Sequence, residues 1–193
     1  MILYLSIIII CMCVIAVANY FLGVYASLFN IALWVVLATL LEIVIDSIFA
    51  TISRWVLPKK WFAVENKSFV PGKKEVRFYE NIGIRKWKDK TLELGAVTGF
   101  RKNKLGDAGN IEYVERFIVE ANYGIIVHVL CIIFGFAVMF LTPYRYWFSI
   151  GIPVGFVNAC LNCMSLFILR YNLPKLHALY KFNFKKLQKQ NKE

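Results

Sequence analysis

From Ile2 to Phe21 no side chain carries a charge. That length matches the roughly 20 apolar residues a helix needs to cross the hydrocarbon core of a bilayer. Three further apolar runs follow, at about 31–57, 122–141 and 147–169. Pro58 closes the second run, Pro143 follows the third, and Asn19, Gly23 and Asn30 mark a turn near 23–30. The chain is 59% hydrophobic with a mean hydropathy of +0.58, above the roughly 45–50% apolar share of soluble domains. The fold expected is an all-α membrane protein of four transmembrane helices arranged as two hairpins. The segments are hairpin 1 at 1–57, a basic loop at 58–118, hairpin 2 at 119–169 and a basic tail at 170–193.

Charge sets the expected orientation. Fourteen lysines and arginines lie between Pro58 and Phe117 and seven from Arg170 onward; the first connection has none and the short one after the third run has Arg145 alone. The positive-inside rule places the loop and the C-terminus in the cytoplasm of a multi-pass cell-membrane protein. The net charge of +11 is read as topology and attraction to anionic headgroups, with no nucleic-acid partner. Residues 16–18, Ala-Val-Ala, resemble a signal cleavage site, yet the first basic residue is Arg54 and a signal peptide begins with a basic region. Both a retained and a cleaved first helix satisfy the charge pattern. In the tail, Leu176, Leu179, Tyr180, Phe184 and Leu187 recur at helical spacing among lysines. They predict an amphipathic helix lying in the headgroup region.

Polar groups inside the apolar runs are costly and single out candidate sites. Glu42 and Asp46 are four apart in the second run, as are Asn158 and Asn162 in the fourth; His128 is in the third. Counted from the basic ends at about 1.5 Å per residue, Asp46, His128 and Asn162 fall at similar depths of about 10–15 Å. Such groups either hydrogen-bond one another to pin the helices or do chemistry, with His128 as a general base beside a carboxylate. Two neighbouring carboxylates, Glu42 and Asp46, resist double ionisation and can share one proton. All five cysteines lie in apolar runs, so no disulfide framework is legible. Cys160 and Cys163 have metal-type spacing without a second pair. No metal and no cofactor are expected, and no phosphate loop or serine elbow is present.

The loop carries the unusual stretch from Gly83 to Gly95, GIRKWKDKTLELG, in which Ile84, Trp87, Thr91 and Leu94 share a helical face. This predicts a short interfacial helix. The longer order FYENIGIRKWKDKTLELGAVTGFRKNKL, then YVERFIVEANYGIIVH, then NCMSLFILRYNLPKLHALY resembles the glycosyl-4,4'-diaponeurosporenoate acyltransferase family across residues 78–180. Thr91-Leu92 stand where the family tends to have Leu-Pro, and Tyr123-Gly124-Ile125 where it tends to have Arg-Gly-Glu.

The resemblance implies a membrane acyltransferase that moves a fatty acyl group to a sugar hydroxyl of a lipid-linked acceptor in carotenoid biosynthesis. By position it implies roles for Arg85, Trp87, Lys88, Asp89, Glu93, Lys102, Asn162, Arg170, Tyr171 and Asn172 in substrate binding, and for Glu120 and His128 in catalysis. Asp46 joins the catalytic set as an intramembrane carboxylate. Glu120 is eight residues from His128, about 12 Å along a regular helix, so it is expected to pair with Arg85 or Arg170. Asn162 or loop cations such as Arg101 and Lys102 are expected to stabilise the oxyanion or hold the donor's anionic part. The expected partners are membrane lipids and an acyl donor: acyl-CoA, acyl carrier protein or phospholipid. The alternatives are a non-enzymatic binding or scaffold subunit, or a small proton-coupled transporter using Glu42, Asp46 and His128. The Gly83–Gly95 stretch is expected to fold back on the helix ends and roof a lipid-accessible pocket, with Asp89 and Glu93 paired to fixed cations.

Overall fold

A computed structural model describes residues 2–23, 27–90 and 107–190. All regular structure among them is helical, with no strand. The long helices are α1 (Ile2–Phe21), α2 (Leu28–Val56), α5 (Ile111–Phe134) and α7 (Ile152–Gln190); the short ones are α3 (Lys73–Asn81), α4 (Ile84–Trp87) and α6 (Val138–Leu141). Three segments, Leu28–Val56, Ile111–Leu141 and Tyr144–Gln190, are long and apolar enough to cross a membrane, and α1 is a fourth, uncharged, 20-residue helix. With water excluded, a helix satisfies its own backbone amides, and this explains why apolar runs of this length form no other structure.

The chain divides into two compact units, Met1–Trp55 with Val127–Ser165, and Val56–Ile126 with Leu166–Glu193. In the first unit, Ile31, Val35 and Ala38 of α2 pack with Val138, Tyr146, Ile150 and Val154, and Met12, Ile15 and Ala16 of α1 lean on them. The buried Asn19 amide donates to Ile15 O at 2.8 Å and to Ser149 O at 2.7 Å, which ties α1 to the turn before α7. The opposite faces of α1 and α2 leave Ile10, Val14, Leu40 and Ile43 exposed, as lipid-facing side chains are.

In the second unit, Phe117, Ile118, Ala121 and Ile125 of α5 pack on Leu169, Leu173 and Leu176 of α7, with Val64 between them. The buried Asn122 donates to Phe62 O at 3.0 Å, and the Phe62 and Tyr123 rings stack 3.7 Å apart. The beginning of the loop is thereby held against α5.

Two sequence expectations change. The third helix starts at Ile111, well before 122, because Val114, Phe117 and Ile118 bury themselves in the second unit. The tail is not a separate surface helix: α7 continues for 39 residues through Pro174. Its apolar side, with Leu173, Leu176, Leu179 and Tyr180, is used up by packing on α5 and the loop. Beyond residue 180 the last turns keep Phe182, Phe184 and Leu187 exposed.

In the first unit, a Cβ built at Gly151 would lie 2.7 Å from Met139 Cα, whereas one at Gly72 meets nothing within 4 Å. Overpacking against backbone costs typically about 1–3 kcal/mol. Gly151→Ala is therefore expected to lower the thermal midpoint in detergent while Gly72→Ala leaves it unchanged. Equal midpoints would show that α6 gives way freely.

Candidate active site

Three helices of the first unit bring four polar side chains together. Four-residue spacing puts Asn158 and Asn162 on one face of α7. Asn158 Nδ2 donates to Asp46 Oδ1 and Asn162 Nδ2 to Asp46 Oδ2, each at 3.1 Å. Asn162 Nδ2 also lies 2.9 Å from Asn158 Oδ1 and 3.1 Å from Asn158 O. On its other side, Asn162 Oδ1 is 2.7 Å from His128 Nδ1 of α5. Asn162 is buried; Asp46, His128 and Asn158 are half-buried.

This geometry dictates proton positions. Both Asp46 oxygens receive amide hydrogens, as an ionised carboxylate accepts them. That orients the Asn162 amide with its oxygen toward the histidine. A carbonyl oxygen only accepts, so His128 Nδ1 carries the hydrogen, and in the neutral ring the lone pair sits on Nε2. In hydrolytic triads a carboxylate orients the imidazole directly; here Asn162 stands between the carboxylate and the ring. Both ends of the Asn162 amide are engaged, which leaves it no hydrogen for an oxyanion.

The second unit holds a different cluster, where α3 and α4 dock on α7. Tyr79, Ile84, Ile168 and Tyr171 form a small core with Val76, Trp87 and Phe167 around it. Over it, Glu75 of α3 takes a fork from Arg170, through Nε to Oε1 and through Nη2 to Oε2 at 2.8 Å, and the Tyr79 hydroxyl also donates to Oε1. Arg85 bonds Glu80 and donates from Nε to the Tyr171 hydroxyl at 2.9 Å; Lys175 Nζ sits 4.5 Å from the Tyr171 ring centre. Trp87 Nε1 donates to Ile82 O at 3.2 Å. The start of the Gly83–Gly95 stretch thus folds back on α7.

The carboxylates that engage Arg85 and Arg170 are Glu80 and Glu75, where Glu120 had been expected. Glu120 is half-buried on α5 within the second unit, whereas His128 belongs to the first. Asp89 is exposed and lies 3.8 Å from Lys88. Asn172 is half-buried on α7. Glu93, Arg101 and Lys102 lie outside the described residues. Sequence reasoning passed over Glu75 and Tyr79. Their signal was a Pro71-Gly72 start followed by Glu75, Val76 and Tyr79 on one helical face, readable as a short amphipathic helix.

A family model described as glycosyl-4,4'-diaponeurosporenoate acyltransferase matches residues 58–182. The match takes in His128, Asn158, Asn162 and the whole second cluster, and leaves Glu42 and Asp46 outside. No curated protein and no solved structure gives a significant match to the chain.

The Glu75–Arg170 fork has a pH signature. Hydrogen bonds from Arg170, helped by Tyr79, hold the Glu75 carboxyl below its ordinary value of 4.5 against the opposing effect of burial. Burial and then the bond to Glu75 push the Tyr79 hydroxyl up to about 12. A carboxyl with a depressed value stabilises the fold above the unfolded value and loses that contribution as pH falls through the folded one. The thermal midpoint in detergent is therefore expected to fall from about pH 5 downward more steeply in wild type than in Glu75→Gln. Lys73→Ala, at an exposed position of the same helix, should follow wild type. Identical slopes for all three would mean the fork contributes nothing.

Proposed function

The chain belongs to the glycosyl-4,4'-diaponeurosporenoate acyltransferase family, the acyltransferases of carotenoid biosynthesis, and from that premise we propose that His128 is the general base of an acyl transfer to a hydroxyl of a lipid-linked acceptor such as a glycosyl carotenoid or glycolipid. The observation that carries this reading is the Asp46–Asn162–His128 chain.

The proposed step is short. His128 Nε2 takes the acceptor hydroxyl proton as that oxygen attacks the carbonyl carbon of a thioester or ester. A new C–O bond forms, the bond to the donor's sulfur or oxygen breaks, and the imidazolium returns the proton to the leaving group. Asn162 acts as a positioning residue: it holds the ring in the Nδ1–H form. Asp46 steadies the positive charge that the ring gains in the transition state, through the intervening amide. The donor's anionic end, a coenzyme A or carrier-protein phosphate or a phospholipid headgroup, falls to cations of the basic segment such as Arg85, Lys88 and Lys102. Charge counting puts that segment and the C-terminus on the cytoplasmic side. The packing of α1 through Asn19 fits a retained first helix.

Acyl transfer from a labelled donor to glycolipid acceptors in isolated membranes tests the assignment. His128→Ala is expected to lower the rate by about 10²–10⁴-fold, the usual size of general-base catalysis. Asp46→Ala removes the carboxylate that orients the chain and steadies the ring's charge. A hydrogen bond to a charged group contributes about 1.5–3 kcal/mol, or roughly 10- to 150-fold in rate. That loss should appear in kcat with KM little changed. A folded His128→Ala protein with full activity would remove the base from the mechanism.

A further inference from the structure

The mechanism leaves a buried carboxyl of the first unit without a task. Glu42 of α2 is only 4% exposed, and neither carboxylate oxygen has a hydrogen-bond partner among the described residues. A buried polar group with no partner calls for an explanation. A bare carboxylate at such a place would carry the full desolvation cost of its charge. The acid form avoids that cost and presents an O–H donor.

Glu42 also lines a crevice between α1, α2 and α7. Its walls are apolar, with Ile8, Met12, Ile43, Val157 and Leu161 among them, and its polar lining is Glu42, Asn158 and Thr39. No lining group is hydrogen-bonded to either Glu42 oxygen. Asn158 gives one amide hydrogen to Asp46 and its oxygen to Asn162; its Nδ2 is the donor beside the carboxyl, both lying against Gly135. The Thr39 hydroxyl turns back to Val35 O at 2.8 Å. An occupant that completes the site has a hydrogen-bond acceptor and an apolar body. A fatty acyl ester or thioester has both.

The chemistry asks for such a donor. Charge that develops on a carbonyl oxygen under attack needs a preorganised hydrogen bond. Asn158 and Asn162 both spend amide hydrogens on Asp46. We propose that the crevice is the acyl-chain site and that Glu42, as the neutral acid, donates its hydrogen bond to the acyl carbonyl oxygen. The chain lies along the walls from α1 and α2. This rests on the acyl-transfer reading and adds a second catalytic residue to it. Gly135 belongs to the same device: a Cβ there would collide with Glu42 Oε1 and lie 2.8 Å from Asn158 Nδ2.

The carbonyl can be watched directly. Purified full-length protein is placed in nanodiscs of ether-linked phospholipid, which have no ester carbonyl of their own. Carbonyl-labelled palmitoyl-CoA is added in one arm and a carbonyl-labelled diacyl phospholipid in the other, and the infrared carbonyl stretch is read. Wild type is expected to shift the stretch to lower frequency in the arm that carries the true donor, which separates the two sources. Glu42→Gln, which keeps a neutral donor, should retain the shift. Glu42→Leu and Gly135→Ala should abolish it and lower transfer by about 10²–10³-fold, the usual loss of one oxyanion donor. Gly135→Ala keeps the carboxyl and displaces it, so it decides the matter even if Glu42→Leu fails to fold. An unshifted carbonyl in both arms with wild type, or the same shift in Gly135→Ala and wild type, overturns the proposal. A shift without transfer to any hydroxyl acceptor supports the carbonyl site and overturns the acyl-transfer reading.

Discussion

A carboxylate inside a membrane helix has to be surrounded by donors, and in the first unit Asp46 is where that requirement is met. Its two oxygens draw in Asn158 and Asn162, and the second asparagine orients His128. Remove the carboxylate and the Asn162 amide has nothing to set its direction, so the histidine tautomer is no longer defined. Replace it with a hydrophobic residue and α2, α5 and α7 lose the polar contact that links them. Buried networks of this kind are stable only when each member is satisfied. The described hydrogen bonds of the cluster close on each other around that single charge.

Glu42 obeys the same physics with the opposite outcome. It sits one turn from Asp46 on α2, yet neither of its oxygens is hydrogen-bonded among the described residues. Two carboxyl groups so close do not both ionise readily. In the proposed mechanism one serves as an acceptor hub and the other as a neutral acid, which gives the site a base-orienting anion and a hydrogen-bond donor from the same side-chain type.

The second unit solves a different problem: how to hold a strongly basic segment in place. Its α3 carboxylates do so. Glu75 and Glu80 engage Arg170 and Arg85, and tyrosines complete each cluster. The half-buried Glu75–Arg170 fork costs more to break than the exposed Glu80–Arg85 contact. Arg85, Arg170 and Tyr171, which the family resemblance marks as substrate-binding, are thus also the residues that dock α3 and α4 on α7.

The sequence by itself determined the helical character, the positions of the apolar runs and the acyltransferase family. Uncharged runs of bilayer length admit no other backbone solution, and the order of residues around Trp87, His128 and Arg170 carries the family likeness. It also marked Asp46, His128 and Asn162 as polar groups of similar depth, because helical rise alone sets depth. Tertiary structure decided which of them touch, since rotation about a helix axis is set by packing and not by spacing. It decided that Asn162 lies between the carboxylate and the histidine, and that Glu42 is left without a partner. It decided that Glu75 and Glu80, rather than Glu120, engage the two arginines, because α3 is too short and too polar to announce itself. It decided too that the tail continues α7. Leu173 and Leu176 find protein to bury against, and an apolar face covered by protein has no need of a membrane surface.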